Sequence, residues 1–156
     1  MMKMNIIASC LLASVILTAA CHSTRTGCPS GWIQFRQSCY YIYDYHQYTF
    51  EEAETVCQAT GSTLVIIDDA EENLFLKGFT RHVYHLWIGL TDIDVEGKWV
   101  WADGSPLKYS NWNHGEPNNA GGIEDCAHFW SSLDGRWNDY PCSARLGFIC
   151  ERKVSK

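Results

Sequence analysis

Residues Asn111–Cys126 read NWNHGEPNNAGGIEDC. The stretch sets Glu116, Pro117 and Asn118 side by side, passes through Ala120-Gly121-Gly122, and ends on Glu124, Asp125 and Cys126. Carboxylates this close repel one another unless a positive charge sits among them. Around this stretch, from Thr91 to Tyr140, Gly, Asn, Asp, Pro and Trp dominate and helical periodicity is absent. Loops of that length are uncommon in compact domains and are usually functional where they occur. Disulfides and a metal ion are the devices available to hold one in shape.

The region is rich in side-chain oxygen. Glu116, Asn118, Glu124, Asp125, Asn138 and Asp139 form one group; Asp92, Asp94, Glu96 and Asn119 form a second. No sulfur or imidazole donor is woven in at ligand spacing. An all-oxygen set with several carboxylates suits a hard cation. Ca²⁺ accepts ~6–8 oxygens in tolerant geometry, whereas Mg²⁺ demands a stricter octahedron.

The chain has 156 residues, enough for one domain. Lys3, the apolar run Ile6–Leu17 and the small residues Ala19 and Ala20 have the layout of a secretory signal peptide, with cleavage expected after Ala20. The run is too short to span a bilayer comfortably, and no second one follows. A secreted, extracellular protein with no membrane span is expected. Of eight cysteines, Cys10 leaves with the leader. Cys21, Cys28, Cys39, Cys57, Cys126, Cys142 and Cys150 remain, an odd number for a disulfide framework. Cys21, at the new terminus, is the one expected to stand apart, and a bond from it to a second copy would make a homodimer. The other six allow fifteen pairings, and spacing selects none. The net charge of −6 becomes −7 once Lys3 is removed, which argues against a nucleic-acid partner.

Along the chain, WIQFRQSCYYIY (32–43) reads as strand with a turn near Arg36-Gln37-Ser38. TFEEAETVCQATG (49–61) reads as helix, with Thr49 and Glu52 as a capping box, Gly61 as the stop, and Phe50, Ala53, Val56 and Cys57 on one face. STLVII (62–67) reads as a strand. DDAEENLFLKGF (68–79) reads as a second helix, with Asp69 and Glu72 as its capping box and Leu74, Phe75 and Phe79 as its apolar side. HLWIGL (85–90) reads as an apolar strand, and short strands are expected at KWVWAD, CAHFW and GFICE.

Five motifs then act together. EPN at 116–118 with Glu124 six residues on, WND at 137–139, WIGL at 87–90, WVWADGSPLKYSNW at 99–112 and the closing GFICE resemble the C-type lectin family. The match runs from Cys28 to Glu151. It divides the chain into a signal peptide (1–20), a short lead (21–27), a carbohydrate-recognition domain (28–152) and a tail (153–156).

The resemblance implies an α+β fold with two helices flanking small antiparallel sheets, a long Ca²⁺-stabilised loop region, and three intrachain disulfides. The implied pairs are Cys57–Cys150, Cys126–Cys142 and, as in the family's long form, Cys28–Cys39. It implies Glu116, Asn118, Glu124, Asn138 and Asp139 as ligands of a principal Ca²⁺ and as sugar contacts, with a cis peptide before Pro117. Asp92, Glu96, Asn119 and Asp125 align with an auxiliary Ca²⁺ site, where Asn119 replaces the usual acid. The EPN order implies mannose-type ligands with equatorial 3- and 4-hydroxyls: mannose, N-acetylglucosamine, glucose or fucose. A single shallow site would bind on the order of millimolar, about −4 kcal/mol.

Trp87, Trp99, Trp101, Trp112 and Trp137 are expected to pack beneath the loops, and Trp130 to lie against the core or touch an extended ligand. His114 and His128 read as solvated loop histidines. His82 and His85 have the spacing of a helical metal pair but lack a third ligand. Two other functions compete with glycan recognition. One is a structural role of the mineral-matrix or ice-binding kind, with calcium serving the loop. The other is a glycosidase with Glu116 and Glu124 as acid and base. Metal-ligating acids stay ionised, and a catalytic acid needs a raised pKa in an apolar pocket, so no enzyme is expected.

Overall fold

The computed structural model describes residues 27–154 apart from 81 and 84. The expected leader, Cys21 and the last two residues lie outside that range. The elements run β1 (Ile33–Phe35), β2 (Ser38–Tyr48), α1 (Phe50–Ala59), β3 (Thr63–Leu64), α2 (Ala70–Phe79), β4 (His85–Thr91), β5 (Val100–Trp101), β6 (Cys126–Trp130), β7 (Arg136–Tyr140) and β8 (Leu146–Lys153). The sheet order is β1-β2-β8-β4-β6-β7, with β3 added to β8 and β5 to β4.

The sheet is mixed, not purely antiparallel. Strands β4 and β8 pair in parallel through Leu86–Gly147 and Trp87–Phe148, while the other pairs are antiparallel. A parallel pair needs a long connection, and the whole loop region supplies it. Flanked by β8 and β6, β4 is buried from Leu86 to Leu90. That accounts for its unbroken apolar run. Its side chains alternate between two cores. Leu86, Ile88 and Leu90 join Val65, Ile67, Leu76, Phe129 and Trp137. Trp87 faces Phe50, Ala53, Leu64 and Phe148.

In α1 the capping box forms in both directions between Thr49 and Glu52, and Phe50, Ala53 and Cys57 are buried. Val56 is only partly so. Helix α2 departs from expectation. Asp69 accepts from Glu72 N, but the Glu72 carboxylate turns to Asp68 N and to the Tyr40 hydroxyl, so the box is not reciprocal. Its buried residues are Glu72, Asn73 and Leu76, whereas Leu74 and Phe79 are 63% and 51% exposed. Polar groups occupy the inner face because each finds a partner there. Of the expected strand at 62–67, Thr63 and Leu64 form β3, and Val65 adds backbone bonds to Ile149 of β8 and Gly89 of β4. The five tryptophans lie in or against the core, and Trp130 is half-buried against His85 and His128. His128 is not a solvated loop residue. It lies within β6 at 2% exposure, packed on His85, Trp87, Trp130 and Tyr140. His82 sits in a turn ahead of β4, so it and His85 share no helix.

The disulfides are Cys28–Cys39, Cys57–Cys150 and Cys126–Cys142, as the resemblance implies. They close segments of very different length. Cys57–Cys150 spans 93 residues and Cys28–Cys39 spans 11. Chain entropy assigns them about 4.7 and about 2.8 kcal/mol. Paired Cys→Ala variants should therefore rank in that order in denaturant unfolding, and equal losses would show that strain or residual structure dominates. Burial also holds the His128 imidazole down, from its ordinary 6.5 to about 4. The unfolded chain then binds more protons between those values, so stability falls as pH drops through that window, by about 3 kcal/mol in all. In EDTA, a His128→Phe variant should lose that share of the acid slope, and an unchanged slope would show that protonation of His128 costs nothing.

Candidate functional site

Two loop arms and β7 build the site. Trp137 N donates to Asn111 O, and Asn113 N donates to Trp137 O. Asn113 O in turn accepts from Glu116 N at 3.0 Å. One end of the EPN arm is thus tied to the residue that precedes Asn138 and Asp139. The Glu116–Pro117 peptide is cis. Asn119 adopts the left-handed conformation, φ 43°, which Asn tolerates better than most residues. The turn it makes brings the backbone amides of Asn118 and Asn119 onto one oxygen of Asp139, at 2.9 and 2.7 Å.

Asp139 is fully buried, yet its second oxygen has no hydrogen-bond partner. Glu116 Oε2 is likewise buried and unpartnered. Burial pushes the Glu116 carboxyl above the usual range, and so do the Asp139 carboxylate, close enough to share a proton with it, and the charge of Glu124; the two oxygens lack partners when both acids are ionised. Glu124 is 9% exposed, and its Oε2 accepts from Ala120 N at 2.9 Å. The Asn138 amide turns onto the Asp139 carbonyl oxygen. Glu116, Asn118, Glu124, Asn138 and Asp139 are thereby brought into one neighbourhood. Among the described residues no three His, Cys, Asp or Glu side chains suffice to enclose an ion. A site here depends on the asparagine amides and a backbone carbonyl as well. Buried carboxylate oxygens without donors fit a hard cation of the calcium kind better than they fit water-free protein.

The second group abuts the first. Asp92 is 3% exposed; one oxygen accepts from Gly97 N and the other has no partner. Its carboxyl is raised by burial, and further by Asp125 and Asp139. Asn119 bridges the groups, donating from its amide to Glu96 and accepting from Glu124 N. Asp125 contributes backbone contacts, its carbonyl accepting from Thr91 Oγ1 and Asp92 N.

Some neighbours were not foreseen. Ile93, Val95 and Ile123 are exposed on the loops that carry these acids. Asn73, Asn111 and Gly135 form a polar junction behind Trp137. A buried asparagine inside an amphipathic helix leaves no periodic signal, so composition could not single it out.

The family described as Lectin C-type domain matches residues 46–152, and one described as UL45 protein, carbohydrate-binding C-type lectin-like, matches residues 2–79. A perlucin-like protein of Mytilus galloprovincialis is 40% identical over 129 residues, covering 79% of this chain and 81% of the relative. The cow CD23 carbohydrate-recognition domain, crystallised in the presence of a GlcNAc2Man3 oligosaccharide, superposes with a TM-score of 0.78. It is 38% identical and covers 84% of this chain and 99% of its own. A calcium-independent type II antifreeze protein superposes at 0.75 with 32% identity, covering 85% and 99%. A shared fold would not establish a family by itself. Joined to these identities and to the span of the match, it does: the chain belongs to the C-type lectin domain family.

Proposed function

We propose that this is a secreted, calcium-dependent carbohydrate-binding protein of the mannose type, acting in glycan or microbial-surface recognition. The observation that carries the reading is the pair of buried, unpartnered oxygens, Glu116 Oε2 and Asp139 Oδ1, beside the EPN turn. Glu116, Asn118, Glu124, Asn138 and Asp139 would hold the principal ion. When bound, Ca²⁺ supplies coordination to two vicinal sugar hydroxyls and offsets the repulsion among the acids. Glu116 and Glu124 accept hydrogen bonds from those hydroxyls, and Asn118 and Asn138 donate to them. The acid-then-amide order at 116 and 118 selects equatorial 3- and 4-hydroxyls. Asp92, Glu96, Asn119 and Asp125 would hold an auxiliary ion, weakened by the missing charge at Asn119. No nucleophile, base and orienting group stand together in this reading, so the protein binds and does not catalyse. Weak single-site affinity calls for several sites at once. An interchain disulfide through Cys21 would make a homodimer and provide two.

One set of observations favours a second reading, a structural role of the mineral-matrix or ice-binding kind. Exposed Ile93, Val95 and Ile123 give the loop surface an apolar character that monosaccharides do not need, and an antifreeze protein shares the fold.

Affinity chromatography separates the two. The protein should be retained on immobilised mannose in Ca²⁺ and released by EDTA. A Glu116→Gln, Asn118→Asp double variant should lose preference for mannose over galactose. Absence of retention on every sugar, with a Ca²⁺-induced rise in Tm, would overturn the lectin reading in favour of the structural one.

A further inference from the structure

We propose that Asn73, on α2, is a positioning residue for the candidate calcium and sugar site, acting through the indole of Trp137. This rests on the reading of residues 116–139 as that site. Asn73 is 4% exposed and far from the loops in sequence. Its Oδ1 accepts from Trp137 Nε1 at 2.8 Å, and its Nδ2 donates to Gly135 O at 3.1 Å. Both bonds cross from the helix to the start of β7.

The geometry gives those bonds a consequence. Trp137 is fully buried, with Trp101, Tyr109 and Trp112 set edge-on to its ring at 5.7, 5.6 and 5.8 Å. Such packing centres the ring but is weakly directional, whereas a buried indole N–H demands an acceptor in one direction. Asn73 supplies it. The backbone of Trp137 then fixes both halves of the site. Its N–H and carbonyl hold Asn111 and Asn113, from which the Glu116 arm departs, and its C-terminal neighbours are Asn138 and Asp139. Gly135 completes the junction, its carbonyl accepting from Asn111 Nδ2 as well, at 2.8 Å. Gly135 has φ +69°, and a Cβ there would lie 2.6 Å from Phe129 Cζ and 3.1 Å from Asn73 Nδ2. The close approach needs glycine. Helix, EPN arm and β7 therefore meet at one polar knot, and Asn73 is the contribution of the helix.

A buried asparagine could instead serve stability alone, so the test must separate position from stability. The mature chain is compared with Asn73→Leu and with Leu76→Ala, a core truncation on the same helix at 1% exposure. The readouts are the Trp137 indole N–H resonance, amide exchange at Asn138 and Asp139 without calcium, Ca²⁺ titration calorimetry, and denaturant unfolding. Asn73→Leu should shift the indole signal, speed exchange at 138 and 139, and raise the Ca²⁺ Kd by about tenfold, as loss of an orienting contact does elsewhere. Leu76→Ala should lower stability at least as much and leave that Kd within about twofold. A folded Asn73→Leu protein with the wild-type Kd would overturn the proposal, and so would equal weakening by Leu76→Ala. If Asn73→Leu does not fold, Asn73→Ala, which removes the acceptor for the Trp137 indole without adding bulk, is read against the same criteria. If the wild type binds no Ca²⁺, the calcium reading fails. The indole and exchange readouts then decide the positioning role: unchanged exchange at 138 and 139 overturns it.

Discussion

Asp139 is wholly out of water, and the protein satisfies only one of its two oxygens. Leaving a buried carboxylate half-partnered is costly, and much of the loop architecture serves to hold it that way. The left-handed turn at Asn119 aims two amides at one oxygen and leaves the other open. The cis bond at Pro117 lies between Glu116 and Asn118. The Cys126–Cys142 disulfide ties the start of β6 to the segment just beyond β7. The two apolar cores on either side of β4 offset that cost.

Much of this was legible in the residues, for identifiable reasons. Helix α1 announces itself because Thr49, Glu52, Phe50, Ala53 and Cys57 all agree on one register. Strand β4 does so because a central strand buried on both faces is apolar throughout. Helix α2 misled because its inner face is partly polar. Glu72 and Asn73 are inside, satisfied by Tyr40, Asp68, Gly135 and Trp137, while Leu74 and Phe79 face out. A hydrophobic pattern cannot register side chains whose burial depends on partners as distant in sequence as Tyr40, Gly135 and Trp137. The parallel pairing of β4 with β8 was invisible for a related reason, since register between distant strands is set by tertiary packing. His128 was misread because a loop-rich neighbourhood hid a strand that its own short apolar sequence, CAHFW, had already suggested.

The candidate site was legible in a different way. EPN, Glu124 and WND show no periodicity; oxygen content gathers their residues loosely with Asp125, and the resemblance singles them out as one ligand set. Their grouping in space then depends on contacts that no ligand motif announces. Asn111, Asn113 and Gly135 are ordinary loop residues by composition, yet their backbone and amide bonds decide where the motif residues end up.

The order of the sheet has a consequence for how such a domain can be mounted. The described chain enters at β1 and leaves from β8, and Val154 N donates to Gln37 O beside them. Both exits lie within three strands of one edge, while β7, bearing Asn138 and Asp139, forms the opposite edge. A partner joined at either exit would meet the β1-β2-β8 side of the sheet, with β4 and β6 still lying between it and β7. The fold thus keeps its two chain exits and the strand that bears the candidate ligands Asn138 and Asp139 on opposite sides of one sheet, so that attachment at one side need not disturb the other.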